Sequence, residues 1–142
     1  MIKYPIDFHS EVKARSGVNT TWNSAASGFA TACAIPPEFM GPGGGLSPED
    51  LYNHALANCF VATFKVYADN SKLAYEGIEV SSRLVVDLDD TKKPIMKEFY
   101  LKAKIQAAAN PTKAKLLAEK ASQSGFILNS VKTKCNFEFE IT

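Results

Sequence analysis

From Phe8 to Ser16 the chain alternates. Phe8, Ser10, Val12 and Ala14 fall on one side, and His9, Glu11, Lys13 and Arg15 on the other, the period-two signature of a strand. Turn-forming residues in "SGVNTTWNSAASGF" bracket a short strand at Thr20–Asn23. "FATACAI" then predicts a third strand, with Phe29, Thr31, Cys33 and Ile35 on one face. Pro36 and Pro37 close this unit. "EFMGPGGGL" predicts a flexible loop, because its glycines and proline disfavour both helix and ladder.

The pattern then turns helical. Ser47 is placed as N-cap, Pro48 at the first helical position, and Glu49 and Asp50 in the first turn, where their charge complements the helix dipole. The helix runs to about Asn70. Its second half, "ALANCFVATFKVYA", is apolar on nearly every side, which marks a buried central helix. Beyond "DNSKLAYEG", Ile78, Val80, Ser82, Leu84, Val86 and Leu88 form one face of a long strand. After the turn "DDTKKP", Ile95, Phe99, Leu101, Ala103 and Ile105 continue the alternation on its hairpin partner. Asn110 and Pro111 start a second helix with Ala114, Leu117, Ala118 and Ala121 along one stripe, and "SQSGFILNS" breaks it. A last strand turns Thr133, Cys135, Phe137, Phe139 and Ile141 inward.

The order β-β-β-α-β-β-α-β is an α+β arrangement without repeats, and no linker divides it, so residues 1–142 are expected to form one domain. A helix apolar all round needs cover on every side, which one sheet and one short helix do not supply. An intertwined homodimer, with central helices packed on each other or on the partner's sheet, is the simplest remedy.

Composition adds boundaries. A chain of 142 residues can bury roughly 70% of its unfolded surface and needs no disulfide or metal for stability. Its net charge of +1 leaves no basic stripe for nucleic acid. The three cysteines, Cys33, Cys59 and Cys135, are far apart and form no C-x-x-C pair, so neither a disulfide framework nor a zinc site is indicated. No apolar run approaches the roughly 20 residues of a bilayer span, and "MIKYPIDFHSEV" lacks a signal-peptide core, so the expected location is the cytoplasm, with free thiols and no membrane partner. No cofactor motif is present: the glycine-rich loop lacks the P-loop spacing and its lysine.

Chemistry has few candidates. His54 precedes Cys59 by five residues, a divergence of about 140° on a helix, so the two form no catalytic dyad within one chain. Cys33 and Cys135 lie on inward strand faces, where a cysteine usually serves as a small hydrophobe. Cys59 alone could be read the same way.

Its surroundings decide otherwise. "SPEDLYNHALANCF" resembles the helix motif of the OsmC-like superfamily, which includes the osmotically inducible protein C and organic hydroperoxide resistance proteins: Pro-Glu, a leucine, small residues, then Cys ten steps after Glu, here Glu49 to Cys59. "IPPEFMGPGGGLSPE" is similar to the family's preceding loop, and the later elements follow in the family's order over about residues 6 to 141.

That resemblance implies a thiol peroxidase without cofactor or metal. Cys59 takes the place of the peroxidatic thiol, Glu49 that of a supporting glutamate, and Arg15 that of the arginine. A hydroperoxide oxidises the thiolate to a sulfenic acid, which a second cysteine traps. Arg15 and Arg83 are the only arginines, and each faces away from the apolar side of its strand. Glu49 lies roughly 15 Å up the helix axis from Cys59, so it acts through an arginine or from another subunit. The second cysteine of the pattern is missing: aligning Asn129 puts Gly125 in its place, and other registers offer Ser122 or Ser124. The sulfenic acid then depends on an external thiol reductant, or on Cys135 or Cys33. The alternative function is an OsmC-fold dimer that binds a hydrophobic small molecule at Phe39, Phe60, Phe64 and Phe126, with weak or no peroxidase activity.

Overall fold

The computed structural model describes residues 1–142. It has two helices and two three-stranded sheets in the expected order, and the chain divides into two compact units, Met1–Leu51 and Tyr52–Thr142. No helix is long and apolar enough to cross a membrane.

In the first unit β1 (Glu11–Lys13), β2 (Trp22–Ala26) and β3 (Phe29–Cys33) form an antiparallel meander. The first strand is much shorter than the alternation from Phe8 to Ser16 predicts. Phe8 is 90% exposed and Phe29 80%, so the period-two pattern there marks no buried face within the chain. Cys33 is the exception and is buried.

The glycine-rich loop is pinned where flexibility was expected. The amide of Leu46 donates to the carbonyl of Ala32 at 2.9 Å and the amide of Ala34 to the carbonyl of Leu46 at 3.0 Å, so the end of the loop pairs in parallel beside the end of β3. Gly45 permits this approach, because a Cβ there would meet the Ala32 carbonyl oxygen at 2.8 Å.

Helix α1 (Pro48–Asn70) begins as its sequence dictates. The amide of Asp50 donates to the Ser47 hydroxyl at 3.0 Å and the amide of Ser47 to the Asp50 carboxylate at 2.9 Å, a reciprocal cap with Asp in the role usually taken by Glu.

In the second unit β5 (Pro94–Gln106) is central, antiparallel to β4 (Gly77–Leu88) and parallel to β6 (Lys134–Ile141). The parallel pair is joined through α2 (Pro111–Ser124), with Asn110 as N-cap accepting from the amide of Lys113 at 3.1 Å. Leu56, Phe60 and Phe64 of α1 meet Phe99, Leu101, Ala103 and Ile105 of β5 and the alanine stripe of α2 in a single core. Phe60 stands at its centre, with ring centroids 5.7 Å from both Phe137 and Phe139 and 6.4 Å from Phe64.

Two expectations shift. A register break between Val85 and Val86 pairs Val86 with Met96 and Asp87 with Ile95. Ile95 therefore leaves the inward set and is 39% exposed. The second concerns α1, which is not apolar all round: Asn58, Ala62, Lys65, Val66 and Asp69 form an exposed stripe.

Candidate functional site

Cys59 lies midway along α1, next to Phe60 in sequence but turned away from the centre of the core and only half-buried. Four and eight residues on, Thr63 and Tyr67 share its side of the helix. The Thr63 hydroxyl donates to the Cys59 carbonyl at 2.7 Å, and the Tyr67 hydroxyl lies 2.5 Å from that of Ser124 at the end of α2. This stripe of groups able to hydrogen-bond, recurring every four residues in an otherwise apolar segment, was readable in the sequence as the contact line for α2.

The contact brings Gly125 onto the cysteine. Gly125 is the buried residue that ends α2, and a Cβ built on it would lie 2.5 Å from the Cys59 sulfur and 3.3 Å from both the Thr63 hydroxyl oxygen and a Leu128 methyl. Three features hold it there: the buried alanine stripe of α2, the buried Leu128, and the amide of Asn129 donating to the Gly125 carbonyl at 2.8 Å. The three sequence registers are thereby separated. Ser122 and Ser124 turn their hydroxyls to the carbonyls of Glu119 and Lys120, at 2.6 and 2.7 Å, while Gly125 lies against the sulfur.

The other two thiols are placed differently. Cys33 is buried in the first unit. Cys135 pairs with Phe99 on the inward side of β6 and donates weakly to the carbonyl of Thr133 at 3.4 Å; burial pushes its pKa up, which keeps it protonated at neutral pH.

Of the two arginines, Arg83 is committed elsewhere. It pairs with Tyr100 on the side of the sheet opposite Leu84 and Phe99, and its guanidinium lies 4.3 Å from the centre of the Tyr100 ring. The Tyr100 hydroxyl donates to Glu98 at 2.5 Å, and that bond raises the Tyr100 pKa. Arg83 thus points away from the face that α1 covers. Arg15 follows β1 in the first unit, exposed and free of any ion pair, beside a surface depression lined by Lys13, Thr21, Trp22 and Asn23. Glu49 sits half-buried in the first turn of α1. Among the rings expected around a ligand, Phe60 and Phe64 are core, whereas Phe39 and Phe126 are exposed.

Comparison with known proteins gives the arrangement its context. A family model described as OsmC-like protein matches residues 41–140. The uncharacterized protein YmaD of Bacillus subtilis is 25% identical over 140 residues, covering 94% of this chain and 93% of that protein. An OsmC-like protein of unknown function from Vibrio cholerae superposes with a TM-score of 0.85 at 15% identity, covering 95% of this chain and 99% of the other. An organic hydroperoxide resistance protein from Legionella pneumophila superposes with a TM-score of 0.75 at 22% identity, covering 99% of both chains.

Proposed function

The chain belongs to the OsmC-like family, and from that premise we propose that it reduces organic hydroperoxides, with Cys59 as the peroxidatic thiol. The observation that carries this reading is the position of Cys59: a half-buried thiol on the family's central helix, with the end of α2 laid against its sulfur.

The chemistry is direct. The Cys59 thiolate attacks the outer oxygen of the hydroperoxide, the O–O bond breaks, an alcohol leaves after taking a proton, and the sulfur becomes a sulfenic acid. A thiol from outside the chain then condenses with it to a disulfide, releasing water, and a second thiol restores the free cysteine.

The attacking thiolate needs a cation. Cys59 is roughly 15 Å along the axis from the helix N-terminus, beyond the useful range of the dipole. We assign that role to Arg15, with Glu49 as the carboxylate that orients it, as the family resemblance implies. Incubating the reduced protein with an organic hydroperoxide and a sulfenic-acid trap is expected to label Cys59 rapidly and stoichiometrically, and Arg15→Ala is expected to slow this at least about tenfold, because the cation that favours the thiolate is lost. Oxidation of the native chain no faster than that of a free thiol sinks the proposal.

We also propose a homodimer in which the exposed stripe of α1 through Ala62 and Val66 lies against a second copy. Sedimentation should give twice the mass of the chain, and Val66→Asp should lower it to one; a native monomer at micromolar concentration rules the dimer out.

A further inference from the structure

Gly125 is not demanded by its backbone, whose φ of −64° and ψ of 139° suit any residue. It is demanded by its neighbour, since a Cβ there would lie 2.5 Å from the Cys59 sulfur. For nearly every side chain that approach is a collision. For one it is close to a bond: across a disulfide, the Cβ of one cysteine lies roughly 3 Å from the sulfur of the other.

From this we infer that Gly125 decides how Cys59 is recycled: it occupies a position within disulfide reach of the sulfur and supplies no thiol, so Cys59 exchanges with small thiols from outside the chain and passes through a mixed disulfide with one of them in every turnover. The inference rests on the proposed peroxidatic role of Cys59 for its place in a cycle, but its geometry stands without it. Thr63, one helical turn beyond Cys59, has its hydroxyl directed to the Cys59 carbonyl and offers no sulfur. Cys135 is held protonated by burial and is a poor attacking thiol.

Oxidised glutathione tests this without any peroxide. In the native chain the Cys59 thiolate attacks one sulfur of the reagent, glutathione leaves as its thiolate, and an adduct on Cys59 is expected to persist. In Gly125→Cys the introduced thiolate attacks the adduct, a second glutathione leaves, and an internal disulfide between positions 59 and 125 is expected in its place, with the adduct lost. Peptide mapping reads both.

A folded Gly125→Cys protein, checked by circular dichroism, that keeps the adduct overturns the inference. So does a native chain that replaces the adduct with a disulfide between Cys59 and Cys135, a readout that needs no variant. Adding an organic hydroperoxide in a parallel arm separates the two proposals: closure of the 59–125 bond by glutathione exchange with no hydroperoxide oxidation of Cys59 supports the role of Gly125 and removes the peroxidase reading.

Discussion

Cys59→Ser is expected to remove hydroperoxide consumption down to that of the remaining thiols, with secondary structure unchanged by circular dichroism. The substitution exchanges sulfur for oxygen at a half-buried position and adds no volume, so packing against Gly125 relaxes slightly. Chemically it replaces a thiol with a hydroxyl, and only a thiolate attacks the O–O bond. Cys135→Ser is the matched control. That thiol is pushed toward its protonated form by burial, so its removal is expected to leave consumption nearly intact. Activity that survives in Cys59→Ser and disappears in Cys135→Ser would exchange the two roles. A coupled assay of alcohol formation with a dithiol reductant measures both variants.

One residue along, the consequence is structural. Phe60→Ala is expected to destabilise the second unit by about 3–5 kcal/mol, the range for truncating a buried aromatic side chain. Phe60 is fully buried and joins α1 to β6 through Phe137 and Phe139, and to the next helical turn through Phe64. Its loss opens a cavity that these rings fill only in part, because each is held by its own strand or helix. Urea unfolding followed by circular dichroism measures the effect; a loss under about 1 kcal/mol would mean the cluster collapses onto the vacancy and that the core is less rigid than its geometry indicates. Neighbours on one helix thus separate cleanly, with Phe60 anchoring the segment and Cys59 presented by it.

Much of this organisation was legible in the residues. The Ser47–Pro48 start and the Asn110–Pro111 start define both helices because capping is local chemistry, settled within one turn. The long strands follow from alternation. What failed was whatever depends on partners distant in sequence. The alternation from Phe8 onward predicts a longer β1 than forms, because it does not reveal that no element of the first unit covers its apolar side. The break at Val85 and Val86 moved Ile95 outward, and a period-two pattern carries no mark of the extra residue, Lys97, that β5 holds there.

At the site, the Glu49-to-Cys59 spacing picked out the segment, whereas the facing residue stayed ambiguous among Ser122, Ser124 and Gly125. Helical phase alone does not say which residue at the end of α2 meets α1. The Tyr67 to Ser124 hydrogen bond and the burial of Leu128 fix that register. Both arginines lie on polar strand faces, and the pattern gave no sign that Arg83 stacks on Tyr100.

The parallel pairing of β5 with β6 has a consequence in time. Antiparallel β4 and β5 are joined by a tight turn and can zip together early, but β6 docks only after the chain has travelled through α2 and returned, a loop closure of greater entropic cost. Gly125 sits on that return path. During synthesis α1 therefore emerges with its cysteine uncovered until the end of α2 follows, and in that interval the sulfur is open to any oxidant or thiol in reach. The covering residue is made after the cysteine it covers, so the nascent protein passes through a stage in which its most reactive atom is also its least protected.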